Sequence, residues 1–541
     1  MPLSTLLATD LAQCRRRILR VLVPAMALLM GGCAMLPPRE QVVRPASQAI
    51  PASKETALGK IAANSSPSRE LTGFRLLPTG NYALNTRLAL AQRAQASLDV
   101  QYYLIHDDDT GRNLLRALRD AAERGVRVRL LIDDLYTSGK DELLLGLAAH
   151  PNVEIRLFNP FPAGRSGLLS KFAASLLDFR RVNHRMHNKL FVADGAMAVV
   201  GGRNIGNEYF MRDGVTNFVD LDTFVTGALV IQLQFLFDYY WNSPVVYPLH
   251  AIVPPMADAA TLRAQFEEAT GERRTMPPPA APVNDVLGYG PVWEEFDDGR
   301  LGLVWATAEA YADPPEKIIE MAPGEKRLPY LDAESVRFNV LEHLRNANTE
   351  IVLTSPYLVP GSKGMETLAA LRQRGVKVRL LTNSLASNDE PLVHIGYSRY
   401  RKDMLKLGIE LYELSPAGVK RNMRLGMFGS TIGRLHAKTA VFDRRQVFIG
   451  SMNFDPRSEK HNTEMGIFID SPPLAREMLR LMDLDKYQAA YKLRLQPDTD
   501  NIQWLTLNDD GEVVHDSELD ADPWLLFWLG ILAPLAPEEL L

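Results

Sequence analysis

The stretch His187–Asn204 reads HNKLFVADGAMAVVGGRN, and 249 residues after its start His436–Asn453 reads HAKTAVFDRRQVFIGSMN. Both copies follow one formula: His-x-Lys, four residues, Asp, six residues, then Gly, Gly or Ser, any residue, and Asn. A single short motif carries little weight, but a pattern of this length in duplicate points to an internal repeat. Flanking blocks repeat in the same order: RGVRVRLL at 124–131 returns as RGVKVRLL at 374–381, and VEIRLFNPFPAG at 153–164 is echoed by IELYELSPAG at 409–418. The period is too long for a solenoid, so two globular halves packed together are expected.

Within each half the elements alternate. Residues 97–104 and 350–358 are β-rich apolar runs, 111–124 and 364–374 have helical spacing, and 126–133 and 376–382 are again strand-like. Strand, helix, strand implies βαβ units and an α/β fold with helices covering a mixed sheet. The halves are placed at 71–250 and 331–492, with an inter-half insertion or crossover at 251–330 and a C-terminal extension at 493–541.

Alternation along a strand puts His187 with Lys189, and His436 with Lys438, on one face. A hairpin pairing His187 with Asn204, and His436 with Asn453, places Asp194 and Asp443 at the first position of a four-residue turn. The motif Asp is therefore read as structural. Gly201, Gly202, Gly450 and Ser451 leave room for close approach. Two His, two Lys and two Asn meeting on a pseudo-twofold axis suit a phosphodiester. One imidazole attacks phosphorus, the other protonates the departing oxygen, and Lys and Asn hold the nonbridging oxygens. This chemistry calls on no metal or cofactor. A nucleophilic imidazole also needs its second nitrogen oriented by a carboxylate. The candidates are Asp222, with Asp220 as its rival in FVDLDTFVTG, and Glu464 in HNTEMGIFI.

The N-terminus reads as a processing signal: Arg15–Arg17, an apolar run Ile18–Met30, then Gly31-Gly32-Cys33. Cys33 sits where a bacterial lipoprotein is acylated, so 1–33 is taken as a signal segment and 34–70, rich in Pro, Ala and Ser, as a flexible tether. The body is expected in the bacterial cell envelope, facing the periplasm, with inner and outer membrane both open. Cys14 is the other cysteine, which leaves the folded body without a disulfide framework. The net charge of −5 gives no global polycation, so nucleic acid is not an expected partner.

The paired motifs resemble the HKD motifs of the phospholipase D superfamily, over the body from about Leu71 to Tyr491. The resemblance implies two pseudo-twofold-related α-β-α sandwiches sharing one active site and a covalent phosphohistidine. His187, Lys189, Asn204, His436, Lys438 and Asn453 match the catalytic positions of that family. Gly202 replaces the Ser usual there. His187 is favoured as nucleophile and His436 as acid and base. FDYYWNS at 237–243, NFDPRSEKHNTEMG at 453–466 and WLTLNDDGEVVHDSE at 504–518 resemble bacterial cardiolipin synthases of the C type. By that resemblance phosphatidylglycerol and phosphatidylethanolamine are the substrates; hydrolysis by a phospholipase D and cleavage by an endonuclease of the superfamily are the alternatives.

The connectors 158–185 and 415–434 mix apolar residues with Lys171, Arg180, Arg181, Arg185, Lys420, Arg421 and Arg424, a rim suited to anionic phospholipid. Arg185, Arg434 and Ser451 are read as substrate contacts. WLLFWLGILAPLAP at 524–537 is too short to span a bilayer but long enough to lie in its interface.

Overall fold

The computed structural model describes residues 36–319, 333–421, 431–484, 486–508 and 511–522, together with 524, 528, 529 and 531. The signal segment with Cys33, the connector residue Arg424 and most of the C-terminal apolar stretch lie outside the described residues.

The first half contains β1 (Thr72–Leu77), β2 (Ser97–Tyr102), β3 (Arg127–Asp133), β4 (Val153–Phe158), β5 (Arg185–Met186), β6 (Leu190–Ala193), β7 (Met197–Gly201), β8 (Thr216–Val219), β9 (Asp222–Gly227) and β10 (Val246–Pro248). The remaining strands are β11 (Val304–Ala312), β12 (Glu350–Thr354), β13 (Lys377–Asn383), β14 (Glu410–Leu414), β15 (Ile432–Leu435), β16 (Thr439–Phe442), β17 (Gln446–Gly450), β18 (Asn462–Thr463), β19 (Met465–Asp470), β20 (Ala490–Leu495), β21 (Ile502–Asn508) and β22 (Gly511–His515). Pairing gives the order β10-β4-β3-β2-β6-β7-β9-β1 in the first sheet, with β2, β3 and β4 parallel and the rest antiparallel. The second sheet repeats it as β20-β14-β13-β12-β16-β17-β19-β11, and β21 and β22 extend its β20 edge.

The central strands, among them β2, β6, β7, β12 and β16, are buried on both faces, and alternate residues feed different cores. Phe191 and Ala193 of β6 join Leu114, Leu118 and Leu90 from the helices Gly80–Arg93 and Asp109–Glu123. Leu190 and Val192 face the other way, toward Leu233, Phe237 and Trp241 of the helix Ala228–Trp241. That second core also contains Val352, Tyr412, Ile449 and Ile467 of the second half, so the two α-β-α sandwiches share their inner layer. Burying one such large apolar side chain contributes about 1.5–3 kcal/mol, and this shared layer holds the halves in register.

The segment 251–330 does more than cross over. Its strand β11 pairs antiparallel with β19 through Thr307–Ala312, as β1 pairs with β9, and through Val304–Ala306 it also pairs with β1. β11 is thus the second half's counterpart of β1, and that half begins near 304 rather than 331. At the other end the expected boundary at 493 falls inside β20, the counterpart of β10.

The proposed tether is also packed. Arg44 Nη1 donates to the Ser243 carbonyl at 2.6 Å, the Ala49 N–H donates to Asp238 at 2.7 Å, and Trp241 Nε1 donates to Ser47 Oγ at 2.9 Å. Leu58 and Ile61 of the helix Ala57–Ser65 enter the core. The Pro, Ala and Ser composition reads as linker because the groups that fix this strap, on and just beyond the helix Ala228–Trp241 and on β3 and β4, are remote in sequence.

Candidate active site

The hairpin β6–β7 pairs Ala193 with Met197, and β16–β17 pairs Phe442 with Gln446, so each turn is a three-residue loop starting at the motif Asp. Asp194 and Asp443 have φ of 50° and 51°, a left-handed conformation that Asp tolerates. Their carboxylates do not cap the turn. Asp194 accepts from the N–H groups of Gln95, Ala96 and Ser97, and Asp443 from those of Asn348, Thr349 and Glu350. Each Asp therefore ties its hairpin to the start of the neighbouring parallel strand, β2 or β12.

Beyond the hairpins the halves exchange contacts. Strand β5 pairs with β18 and β8 with β15, each a parallel pair across the halves. The His187 N–H donates to the Thr463 carbonyl and the His436 N–H to the Val219 carbonyl, both at 2.8 Å. His187 Nδ1 lies 2.9 Å from Glu464 Oε2 and 3.0 Å from the Ser451 carbonyl; His436 Nδ1 lies 2.6 Å from Asp220 Oδ2. Each imidazole is thus oriented by a carboxylate of the opposite half, leaving both Nε2 atoms for chemistry.

Asp222 is elsewhere. It is fully buried, 2.8 Å from Arg87 Nη2 and 3.5 Å from Arg203 Nη1, and holds the helix Gly80–Arg93 against β9. Asp220 takes the place expected of Asp222. A signal for this was present in the sequence: Asp220-Leu221-x-x-Phe224-Val225 matches Glu464-Met465-x-x-Phe468-Ile469. Sheet register agrees, since Gly201 pairs with Asp222 as Gly450 pairs with Gly466.

The expected substrate contacts divide. Arg185 is fully buried, its Nη1 3.1 Å from Asp133 and its guanidinium over the Phe161 ring; it fixes the approach to His187 and contacts no open space. Ser451 is also buried, its hydroxyl donating to Glu464. Arg434 is half-buried on β15, and its Nε has no hydrogen-bond partner among the described residues. In the connector, Lys171 is buried against Asp134, while Arg180 is exposed.

Electrostatics follow from burial. Desolvation, with Lys189 and Lys438 adding to it and Glu464 opposing, pushes His187 down to about 4. Desolvation and Lys438 push His436 down to about 3. Burial acts to raise Glu464 and Asp220, yet the imidazoles they face and the nearby lysines hold both below the usual carboxylate range. Burial lowers Lys438 to about 8 and pushes Lys189 well below the ordinary value of a lysine. Lys189 Nζ donates to the His187 carbonyl at 2.6 Å, and Lys438 Nζ to the His436 carbonyl. Asn204 and Asn453 are buried, and neither Oδ1 has a hydrogen-bond partner among the described residues. Asn204 Nδ2 lies 3.0 Å from the Tyr209 hydroxyl; turning the amide over lets Tyr209 donate to Oδ1 and frees Nδ2 for a phosphate oxygen.

Two neutral imidazoles with buried lysines and amides around them form a site for an anionic, tetrahedral group, placed where two repeated halves meet. That combination defines an enzyme of the phospholipase D superfamily. The family model described as "Cardiolipin synthase, PLD-like domain" matches residues 88–241 and 340–485, and the chain belongs to that family. The chain is 38% identical over 460 residues to cardiolipin synthase C of Escherichia coli (strain K12), covering 84% of this chain and 92% of that protein. It is 26% identical to cardiolipin synthase A of Pseudomonas fluorescens (strain Pf-5), over 76% of this chain and 68% of that protein. Among solved structures, the phosphatidylserine synthase of Haemophilus influenzae Rd KW20 matches with a TM-score of 0.53 at 13% identity, covering 90% of this chain and 99% of that one, a likeness of fold.

Proposed function

We propose that the protein is a phosphatidyltransferase that makes cardiolipin from phospholipids, joining phosphatidylglycerol to a phosphatidyl group taken from phosphatidylethanolamine or from a second phosphatidylglycerol. The observation that carries this reading is the pair of imidazoles, each held at Nδ1 by a carboxylate of the other half, within a family whose curated relatives include cardiolipin synthases. His187 Nε2 attacks phosphorus, the bond to the headgroup oxygen breaks, and His436 Nε2 supplies that oxygen with a proton. Both imidazoles are neutral in the free protein, so His436 takes up its proton when the anionic phosphodiester enters. The phosphatidyl group then rests on His187. A headgroup hydroxyl of phosphatidylglycerol gives its proton to His436 and attacks phosphorus, and the P–N bond breaks. Lys189, Lys438, Asn204 and Asn453 hold the nonbridging oxygens throughout. The reading places the body outside the cytoplasm, on a membrane to which the N-terminal segment with Cys33 fastens it.

The test is incubation of purified protein in mixed micelles with labelled phosphatidylglycerol, with and without phosphatidylethanolamine. Labelled cardiolipin is expected, and phosphatidic acid as the sole product overturns transfer in favour of hydrolysis. Cleavage of DNA with the lipids untouched overturns both. Quenching with denaturant at alkaline pH, where a phosphohistidine survives, is expected to trap a phosphatidyl group on His187 in the His436→Ala protein; label on His436 in the His187→Ala protein reverses their roles.

A further inference from the structure

We infer that the edge of the molecule at which the parallel strands of both sheets end is a docking face for a phospholipid bilayer, and that the strap leading from residue 36 holds it there. The inference rests on the lipid substrate proposed above, and it adds which surface meets the lipid.

Strands β3 and β13 end at Asp133 and Asn383, and β5 and β15 deliver His187 and His436 to the same edge. A small satellite core caps each sheet there, built on Leu135 with Phe161 and Val182 in the first half, and on Leu385 with Ile395 and Leu529 in the second. The elements that cover these cores turn large apolar side chains outward. In the first half Leu169 is 85% exposed and Leu176 is 71% exposed, beside exposed Leu168 and Phe179. In the second half Leu392, Trp524 and Trp528 are exposed in the corresponding region. Scattered exposed leucines need no explanation, but apolar patches capping equivalent positions of both halves do. Tryptophans at such a rim suit the headgroup layer, and the exposed Arg39 and Arg180 beside the first patch suit its anionic phosphates.

The chain's own path supplies the second argument. Leu36 lies in a groove of about 500 Å³ with Leu176, Phe179 and Arg180, at the end of β4 where this same edge begins. From there the strap is fixed to the body by Arg44, Ser47 and Ala49. Only five residues separate Leu36 from Met30, the last residue of the apolar run, and the span reaches at most about 22 Å. From Cys33 the reach is about 10 Å. A segment buried in a bilayer through that run or that cysteine therefore draws the edge carrying Leu36 onto the membrane surface, and no tether lets it turn away. The site mouth then opens toward the lipid, so that headgroups enter without a whole phospholipid leaving the bilayer.

The experiment uses the full chain reconstituted into vesicles of phosphatidylglycerol and phosphatidylethanolamine, with and without brominated acyl chains. One variant carries Leu169→Trp. The other carries Ile231→Trp, 70% exposed on the helix Ala228–Trp241, near the opposite end of the sheet where β9 hands over to that helix. Relative to the parent protein, the emission added at 169 is expected to shift to the blue and to lose most of its intensity to bromine, while that added at 231 does neither. Absence of quenching at 169, or equal quenching at both positions, overturns the docking face. Transfer activity is assayed in the same vesicles. Cardiolipin formed with position 169 unquenched sinks the docking face alone; quenching at 169 without transfer sinks the proposed reaction and leaves the docking face standing.

Discussion

Asp220 Oδ2 lies 2.6 Å from His436 Nδ1, although Asp220 belongs to the first half and His436 to the second. The carboxylate fixes the tautomer that leaves Nε2 free and, in the proposed reaction, stabilises the imidazolium that forms as the proton is taken up. Asp220→Asn keeps the shape and removes that charge, so kcat is expected to fall about 10²–10⁴-fold with little loss of stability. Asp222→Ala, two residues on, leaves Arg87 buried without its partner and is expected to cost about 3–5 kcal/mol of stability, read as a lowered Tm. Equal effects of the two substitutions on kcat per folded molecule would reject this division of roles.

That division marks the limit of what the sequence shows. The repeat, the strand–helix–strand alternation and the His, Lys and Asn set are legible because spacing alone encodes them. Asp220 and Asp222 share a face by parity, and the five-residue difference between Gly202–Asp220 and Ser451–Glu464 breaks the offset of the repeat, so only the local match of 220–225 with 464–469 marks the counterpart of Glu464. Strand β11 was hidden for another reason: its partners, β1 and β19, lie more than 150 residues away on either side. The strap 36–50 has no pattern of its own, since partly buried polar groups at the end of a distant helix hold its backbone.

The lysines set the alkaline limit of activity. Lys438 is pushed down to about 8 by burial, and only its charged form can hold a phosphate oxygen. Because the pKa is lowered, the charge is present below about 8 and lost above it. The value of kcat/KM is expected to fall roughly tenfold per pH unit above that point, while the limb for kcat lies higher because bound phosphate restores the charge. In Lys438→Arg the contribution of Lys438 to this limb should disappear, and what remains is the loss of charge on Lys189, which burial also lowers. A wild-type profile flat to pH 10 would assign the phosphate contact to another group.

Each motif Asp acts on folding rather than on chemistry. Asp194 accepts three backbone N–H groups and is buried, whereas Asp443 does the same in a partly exposed setting. Asp194→Ala is expected to cost about 2–4 kcal/mol, because three donors at the entry to β2 lose a charged acceptor. Asp443→Ala should cost less, since water reaches its donors. Denaturant midpoints check the order, and kcat per folded molecule should stay within about twofold of wild type in both.

Gly202 and Asp220 form a matched pair, as do Ser451 and Glu464. A Cβ on Gly202 would stand 2.2 Å from Asp220 Oδ1, so the shorter carboxylate occupies the space that a Ser side chain takes in the other half. In the second half the longer Glu464 reaches past Ser451 and accepts its hydroxyl proton. Gly202→Ser alone should displace Asp220 from His436 and lower kcat at least about tenfold. Asp220→Glu alone should crowd the His436 ring and also lower kcat. The double substitution recreates the arrangement that already holds His187, so it is expected to recover much of the activity that each single change removes. A double-mutant cycle on kcat measures this directly; strict additivity of the two losses would show that the carboxylate and the small residue act independently.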